Sequence, residues 1–237
     1  MLQFFSRNKD PRIQNKVQLV SVHIPKTAGT SFRNILKQTY GEEGVIRLDI
    51  NLGNEKIRVN QQAFEGKKLD KKVKVLHGHF SPELLHKYFA IGPEVPTITW
   101  LRHPVDRVIS NYYYLEKRLK EELQEQAKGL NILSKMQRSL LEYAHAQVNR
   151  NRIGKFLRGT ELEDLHFIGI QDYFSEDLHQ MAKAMNWGGI TELRHNITGS
   201  KYEVSEADRQ KIAELNETDM ALYEKALRIR EQRLKNA

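Results

Sequence analysis

Residues Val17 to Arg33 constrain this chain more than any other stretch. Val17, Leu19, Val20, Val22 and Ile24 form an apolar, β-branched run that predicts a buried strand. The run stops at Pro25, and Lys26, Thr27, Ala28, Gly29, Thr30 and Ser31 follow. Phe32, Ile35 and Leu36 then begin a helical pattern that ends at Tyr40-Gly41. A strand, a small-residue loop carrying a lysine and a helix together form an anion pocket. The helix N-terminus points N–H groups at the ligand, its dipole favours negative charge, and small side chains let a phosphate approach the backbone. Lys26 adds a mobile positive charge, and Thr27, Thr30 and Ser31 add hydroxyls. The predicted ligand is a phosphate or a sulfate. The structural alternative is a plain connection in which Thr30 or Ser31 caps the helix.

The P-loop of ATPases and GTPases reads G-x-x-x-x-G-K-[ST]. Here Lys26 precedes Gly29 and no glycine opens the loop, so that pattern fails. A second strand is predicted over Thr97–Leu101, followed by Arg102-His-Pro-Val-Asp-Arg-Val-Ile-Ser110. Pro104 suits a first helical turn, and Val105, Val108 and Ile109 give that helix an inner face. Arg102 falls at the strand end and Ser110 two turns into the helix. A terminal phosphate takes such a forked donor and a hydroxyl; a strand-end salt bridge is the other use of Arg102. Between the two loops lies Lys74-Val-Leu-His-Gly-His-Phe80. A short strand there delivers His77 and His79 to one side of its carboxyl end. The pair has metal-ligand spacing, but the chain has no cysteine and no further ligand at an obvious interval. Structural histidines and a general base for hydroxyl chemistry are the remaining readings.

The string His23-Ile-Pro-Lys-Thr-Ala-Gly-Thr-Ser31, with Arg102–Ser110 and His77-Gly-His79, resembles the PAPS-dependent sulfotransferases. PAPS is 3′-phosphoadenosine 5′-phosphosulfate, the sulfuryl donor. The similarity is greatest to the branch containing heparan sulfate 2-O-sulfotransferase and its bacterial relatives. The resemblance implies a P-loop-NTPase-like parallel sheet flanked by helices, the sulfotransferase fold. It implies that Lys26 lies against the 5′-phosphosulfate and stabilises the leaving phosphate, with Thr27, Ala28, Gly29, Thr30 and Ser31 supplying backbone and hydroxyl donors. Arg102 and Ser110 match the residues that bind the 3′-phosphate. Arg107 matches a family arginine, with a surface or ion-paired role as the alternative. Asn196–Lys201 is similar to the loop that closes over the nucleotide. By that match Thr198, Ser200 and Lys201 touch the 3′-phosphate or the adenine, unless the segment is a plain surface loop. His79 matches the catalytic base, and His77 a supporting or substrate-orienting residue. Gln171 and Asp172 read as structural. The implied in-line transfer requires no metal. The alternatives are an ATP-dependent nucleotide or small-molecule kinase of similar architecture, and a non-catalytic binding module.

At 237 residues the chain suits a single domain, with residues 1–15 as a flexible lead-in and 119–150 as a helical embellishment. No apolar run reaches bilayer length, and Met1–Pro11 is too short in apolar residues for a signal peptide. With no cysteine either, the expected place is the cytoplasm, as for a soluble bacterial enzyme and unlike the Golgi-anchored animal relatives. A net charge of +8 invites a nucleic-acid partner, but the basic residues are scattered apart from the run Lys67, Lys68, Lys71, Lys72 and Lys74. The expected partners are therefore the anionic donor and a carbohydrate or other hydroxyl-bearing acceptor, not nucleic acid. Further predicted elements are a strand over Gly44–Asp49, an irregular connection over Asn51–Asp70, and a helix over Pro82–Phe89 capped by Ser81. Helices are predicted over Val105–Ala127 and Ile132–Arg150. A strand over Phe167–Ile170 precedes a helix over Ser175–Met185, and one long helix covers Ser205–Lys235. Tyr112, Tyr113 and Tyr114 read mostly as core, with one ring free to border the nucleotide site.

Overall fold

The structure is a computed structural model that describes residues 10–124, 138–188 and 202–236. Strands β1 (Leu19–Val22), β2 (Val45–Ile50), β3 (Ile57–Val59), β4 (Gln62–Ala63), β5 (Val75–His79), β6 (Thr97–Leu101) and β7 (Phe167–Ile170) form one sheet. Their order is β4-β3-β2-β5-β1-β6-β7. Strands β2, β5, β1, β6 and β7 run parallel, and β3 and β4 add an antiparallel edge. The described helices are α1 (Gly29–Tyr40), α2 (Pro82–Tyr88), α3 (Pro104–Gln124), α4 (Leu140–His145), α5 (Arg152–Phe156), α6 (Phe174–Ala184), α7 (Glu206–Leu215) and α8 (Glu217–Lys235). The fold class is the expected one, a parallel-dominated α/β sheet flanked by helices.

The central strand shows why the apolar run near the N-terminus is continuous rather than alternating. Parallel strands are covered on both faces and need apolar side chains on both. Leu19 joins Phe32, Ile35 and Leu36 of α1 in one layer. Val20 and Val22 join Leu76, Leu101 and Ile168 in the other. Leu19 and Leu76 are fully buried, so cutting either to alanine is expected to destabilise by about 2–5 kcal/mol. From β1 the chain passes through α1 to β2 on one side, and β6 is later laid on the other side of β1. The carboxyl ends of β1, β5 and β6 therefore border a crevice, where open α/β sheets hold ligands.

Three expectations are corrected. The connection over Asn51–Asp70 contains the β3–β4 hairpin, joined through Asn60 and Gln61, both with positive φ (48° and 71°). Asn-Gln is a weaker hairpin signal than Asn-Gly, because glutamine enters the left-handed region less readily. The expected helix Ile132–Arg150, as far as it is described, is instead the single turn-and-a-half of α4 and a short 3₁₀ segment over Gln147–Asn149. Ser139 starts α4 with a capping box to Glu142, and extended Ala146 ends it. The long C-terminal helix is two helices broken at Asn216. Its side chain is buried, donating to the Ile212 carbonyl and accepting from the Asn151 amide, which removes it from a regular helix. Of the expected lead-in, residues 1–9 lie outside the described residues; further on, the Ile13 amide donates to the Tyr88 carbonyl and Gln14 pairs with Lys68. The start of α3 at Pro104 and the Ser81 cap of α2 match expectation.

Candidate active site

The loop after β1 is shaped by its own backbone. Lys26 and Ala28 both take left-handed conformations, with φ of 74° and 65°. Each such non-glycine residue costs about 1–3 kcal/mol, strain that gathers at functional sites. The Thr27 hydroxyl donates to the Ile24 carbonyl at 2.8 Å and folds the loop back on itself. That hydroxyl is thus engaged inside the loop, leaving Thr27 its backbone for a ligand. Helix α1 starts at Gly29 with Ala28 as its N-cap, not Thr30 or Ser31, and among the described residues no side chain caps it. Its first turn carries no acidic residue. The first amides and the positive end of the dipole are left to an anion. Thr30 is exposed on that turn and Ser31 partly buried.

Two cations belong to this loop. The Lys26 ammonium lies 4.0 Å from the centroid of the Tyr114 ring on α3. Burial lowers its pKa, and Arg102 pushes the same way. Arg102, directly after β6, donates from Nη1 to the Lys26 carbonyl at 3.4 Å. The two loops read from sequence are therefore in contact. Burial also lowers the Arg102 pKa, against Asp106 and Asp172. Ser110 is partly buried two turns along α3. Arg107 goes elsewhere: it is buried and donates from Nη2 to the Asn149 carbonyl at 3.2 Å. Burial brings its pKa down to about 10. It is an interior residue behind the site. Tyr112 and Tyr113 pack partly buried against the cluster of Val105, Val108 and Ile109, whereas Tyr114 is exposed apart from its lysine. Thr198, Ser200 and Lys201 lie outside the described residues.

At the end of β5 the two expected histidines meet a third. Gly78 pairs with Leu48, and a Cβ at Gly78 would come within 1.9 Å of the Leu48 carbonyl oxygen. Only glycine fits between the histidines. His77 is buried, with Nδ1 2.9 Å from the Ser21 hydroxyl. Burial drives its pKa down to about 3. His79 is partly exposed, and its Nδ1 donates to the His23 carbonyl at 2.7 Å. A carbonyl only accepts, so the proton sits on Nδ1 and Nε2 keeps a bare lone pair. Burial lowers the His79 pKa, while the His23 carbonyl and Asp49 oppose the shift. The imidazole is thus neutral near pH 7, as a base must be. His23, on the quoted motif but given no role from sequence, stacks on both: ring centroids are 5.0 Å from His77 and 4.5 Å from His79. The signal for it was register, since residues 21, 23, 77 and 79 share a sheet face on neighbouring parallel strands.

His79 opens on a cleft of about 520 Å³. Asp49, Lys56, Arg58, Arg152 and Lys155 line it with His79, so four cations face one carboxylate. Asp49 is itself paired with Arg47 at 2.8 Å. None of these wall residues stands in a motif. Arg152 and Lys155 come from α5, a helix of five residues held from a distance. Buried Asp219 of α8 accepts from the amides of Ile153 at 2.8 Å and Gly154 at 2.9 Å, capping α5 in place of a local residue. Burial raises the Asp219 pKa, and those two amide bonds pull it back.

The crevice thus sets a lysine-bearing loop and helix start beside a neutral histidine. The profile of the Sulfotransferase family matches residues 9–226, and the chain belongs to that family. Among solved structures it is similar to mouse sulfotransferase SULT7A1 complexed with PAP, at 11% identity and a TM-score of 0.43. That match covers 85% of this chain and 65% of the mouse one, so this chain spans less than two thirds of its length. A sulfotransferase from Alicyclobacillus acidocaldarius matches at 13% identity and a TM-score of 0.45, over 88% of this chain and 94% of the other. Among curated proteins no relative matches. No described helix is long and apolar enough to cross a membrane.

Proposed function

We propose that the chain is a PAPS-dependent O-sulfotransferase acting on a carbohydrate hydroxyl, in the manner of the heparan sulfate 2-O-sulfotransferase-like branch. The observation that carries this reading is the meeting of two halves. A lysine-bearing loop whose helix start no described side chain caps stands on β1, and a neutral imidazole with a bare Nε2 opens on the cleft from β5. The His77-Gly-His79 string is what favours the branch.

In this reading the donor supplies an activated sulfuryl group. The backbone of residues 26–31, the Lys26 ammonium and the hydroxyls of Thr30 and Ser31 hold its 5′-phosphosulfate. Arg102 and Ser110 hold the 3′-phosphate, with Thr198, Ser200 and Lys201 at that phosphate or the adenine. The acceptor hydroxyl enters the cleft and gives its proton to His79 Nε2 as its oxygen bonds to sulfur. The sulfur–oxygen bond to the phosphate breaks, and the charge left there faces Lys26 and the α1 amides. His79 then releases the proton to solvent through the cleft. His77 is buried beneath the rings and supports them without reaching substrate. Lys56, Arg58, Arg152 and Lys155 suit an acceptor that carries negative charge.

The test is ligand-induced thermal stabilisation followed by transfer of labelled sulfate from PAPS to a panel of glycans. Adenosine 3′,5′-bisphosphate is expected to raise the Tm without metal, and 5′-AMP to do so weakly. Stabilisation by ATP with magnesium and none by the bisphosphate would point to a kinase and end this reading.

A further inference from the structure

One side chain touches both halves of the site. His23 follows β1, and its amide donates to the Gly78 carbonyl at 2.8 Å. Its own carbonyl takes the proton of His79 Nδ1 at 2.7 Å. Its ring is stacked between those of His77 and His79, at interplanar angles of 18° and 30°. On the α1 side it is pressed onto the first residue of the helix. A Cβ at Gly29 would lie 1.9 Å from His23 Nε2 and 2.1 Å from its Cδ2. Gly29 is therefore glycine because the His23 ring occupies the space that any side chain would need.

This geometry leaves the His23 ring little freedom of its own. His77 is fixed by burial and by Ser21, so any displacement of Gly29 is passed to the His79 ring. The stacked imidazoles stay uncharged: burial holds the His23 pKa well below the ordinary range, and His77 and His79 push it further down. The flat five-membered ring is thin enough to lie between two others in offset stacks. We infer that His23 is a positioning residue for the base, the link through which the anion loop sets the orientation and tautomer of His79. The inference rests on reading His79 as the base, and it gives the N-terminal motif a second task besides holding the donor.

The experiment is side-chain ¹⁵N NMR of the ligand-free full chain, with His79 assigned by its loss in His79→Gln. The expected wild-type spectrum shows a single His79 tautomer with Nδ1 protonated and Nε2 bare. In His23→Ala the ring is free to turn, its bond to the residue 23 carbonyl is made only part of the time, and the two nitrogen signals move toward each other. Gly29→Ala displaces the His23 ring from the loop side and is expected to collapse the same separation, which covers a failure of the first variant to fold. A His79 spectrum unchanged in either folded variant overturns the link. Because no donor or acceptor is present, this result is independent of the sulfotransferase reading. Absence of sulfate transfer by wild-type protein would end that reading while the NMR result still stood or fell by itself.

Discussion

On the function proposed above, the donor side and the acceptor side of the site meet at His79 but are assembled by different rules. The part of the donor side assigned to the 5′-phosphosulfate is a local object. Residues 23–31 supply the loop, its strain and its helix start in one stretch, and Arg102 adds one contact from the next loop. The acceptor side is a tertiary object. Its wall combines the end of β2, the β3 hairpin and α5, and α5 is capped by Asp219, which lies more than sixty residues further along the chain. Binding an invariant donor needs a fixed backbone shape, whereas a cleft that selects an acceptor is built from parts that vary independently.

The two sides should therefore fail separately. The largest expected effect is at their junction: His79→Ala lowers turnover by about 10²–10⁴ and leaves stabilisation by adenosine 3′,5′-bisphosphate intact. A matching loss of nucleotide binding would merge the two sides. Next, Asp219→Ala removes two amide bonds to a charged acceptor and a helix cap, destabilising by about 2–4 kcal/mol. In urea titrations it shifts the midpoint, and in kinetics it raises the acceptor KM while donor affinity holds. Lys26→Ala and Arg102→Ala do the reverse. Each weakens bisphosphate binding by about 1.5–3 kcal/mol, roughly ten- to a hundredfold in Kd by calorimetry.

The acid range tests the junction in another way. Burial leads the lowering of the pKa values of His23, His77 and His79, that of His77 to about 3. Unfolded histidines titrate near 6.5, so the stability these groups allow is complete above that value. It is lost as pH falls toward the folded pKa values. At pH 5.5 each histidine lowers stability by up to about 1.4 kcal/mol relative to alkaline pH. Urea midpoints at pH 7.5 and 5.5 measure the slope, and His77→Asn should flatten it. The acid limb of turnover should likewise fall below pH 6.5. The smallest effect is expected for Arg152→Ala, a rise of roughly 2–5-fold in acceptor KM that fades with added salt.

The same contrast explains what could be read from the chain before its fold was known. Val17–Leu36 gave strand, loop and helix because backbone shape there is dictated by neighbouring residues, from the β-branched run to Gly29. The strand ends that carry His79 and Arg102 were legible for the same reason. The role of Thr27 was only half legible, since nothing in the string tells a hydroxyl bound to Ile24 from one left to a ligand. Arg107 looked like its neighbours on α3, and only the packing of α4 and the following turn decides that it is buried. The part of the cleft wall that α5 supplies was not legible. Arg152 and Lys155 are ordinary surface cations until Asp219 and Asn216 turn their helix toward His79, and the break at Asn216 hides within an unbroken helical pattern.

The cap that Asp219 places on α5 also bears on the order in which the protein is made. A chain emerging from the ribosome exposes the anion loop early, and β1, α1, β5 and β6 are complete by residue 101. The short helix bearing Arg152 and Lys155 has no cap until α8 is synthesised, and a helix of that length does not persist unaided. During translation the loop after β1 is thus in place well before the part of the cleft wall that α5 supplies. A nascent chain stalled after α6 would be expected to carry the loop after β1 with no shaped cleft beside it.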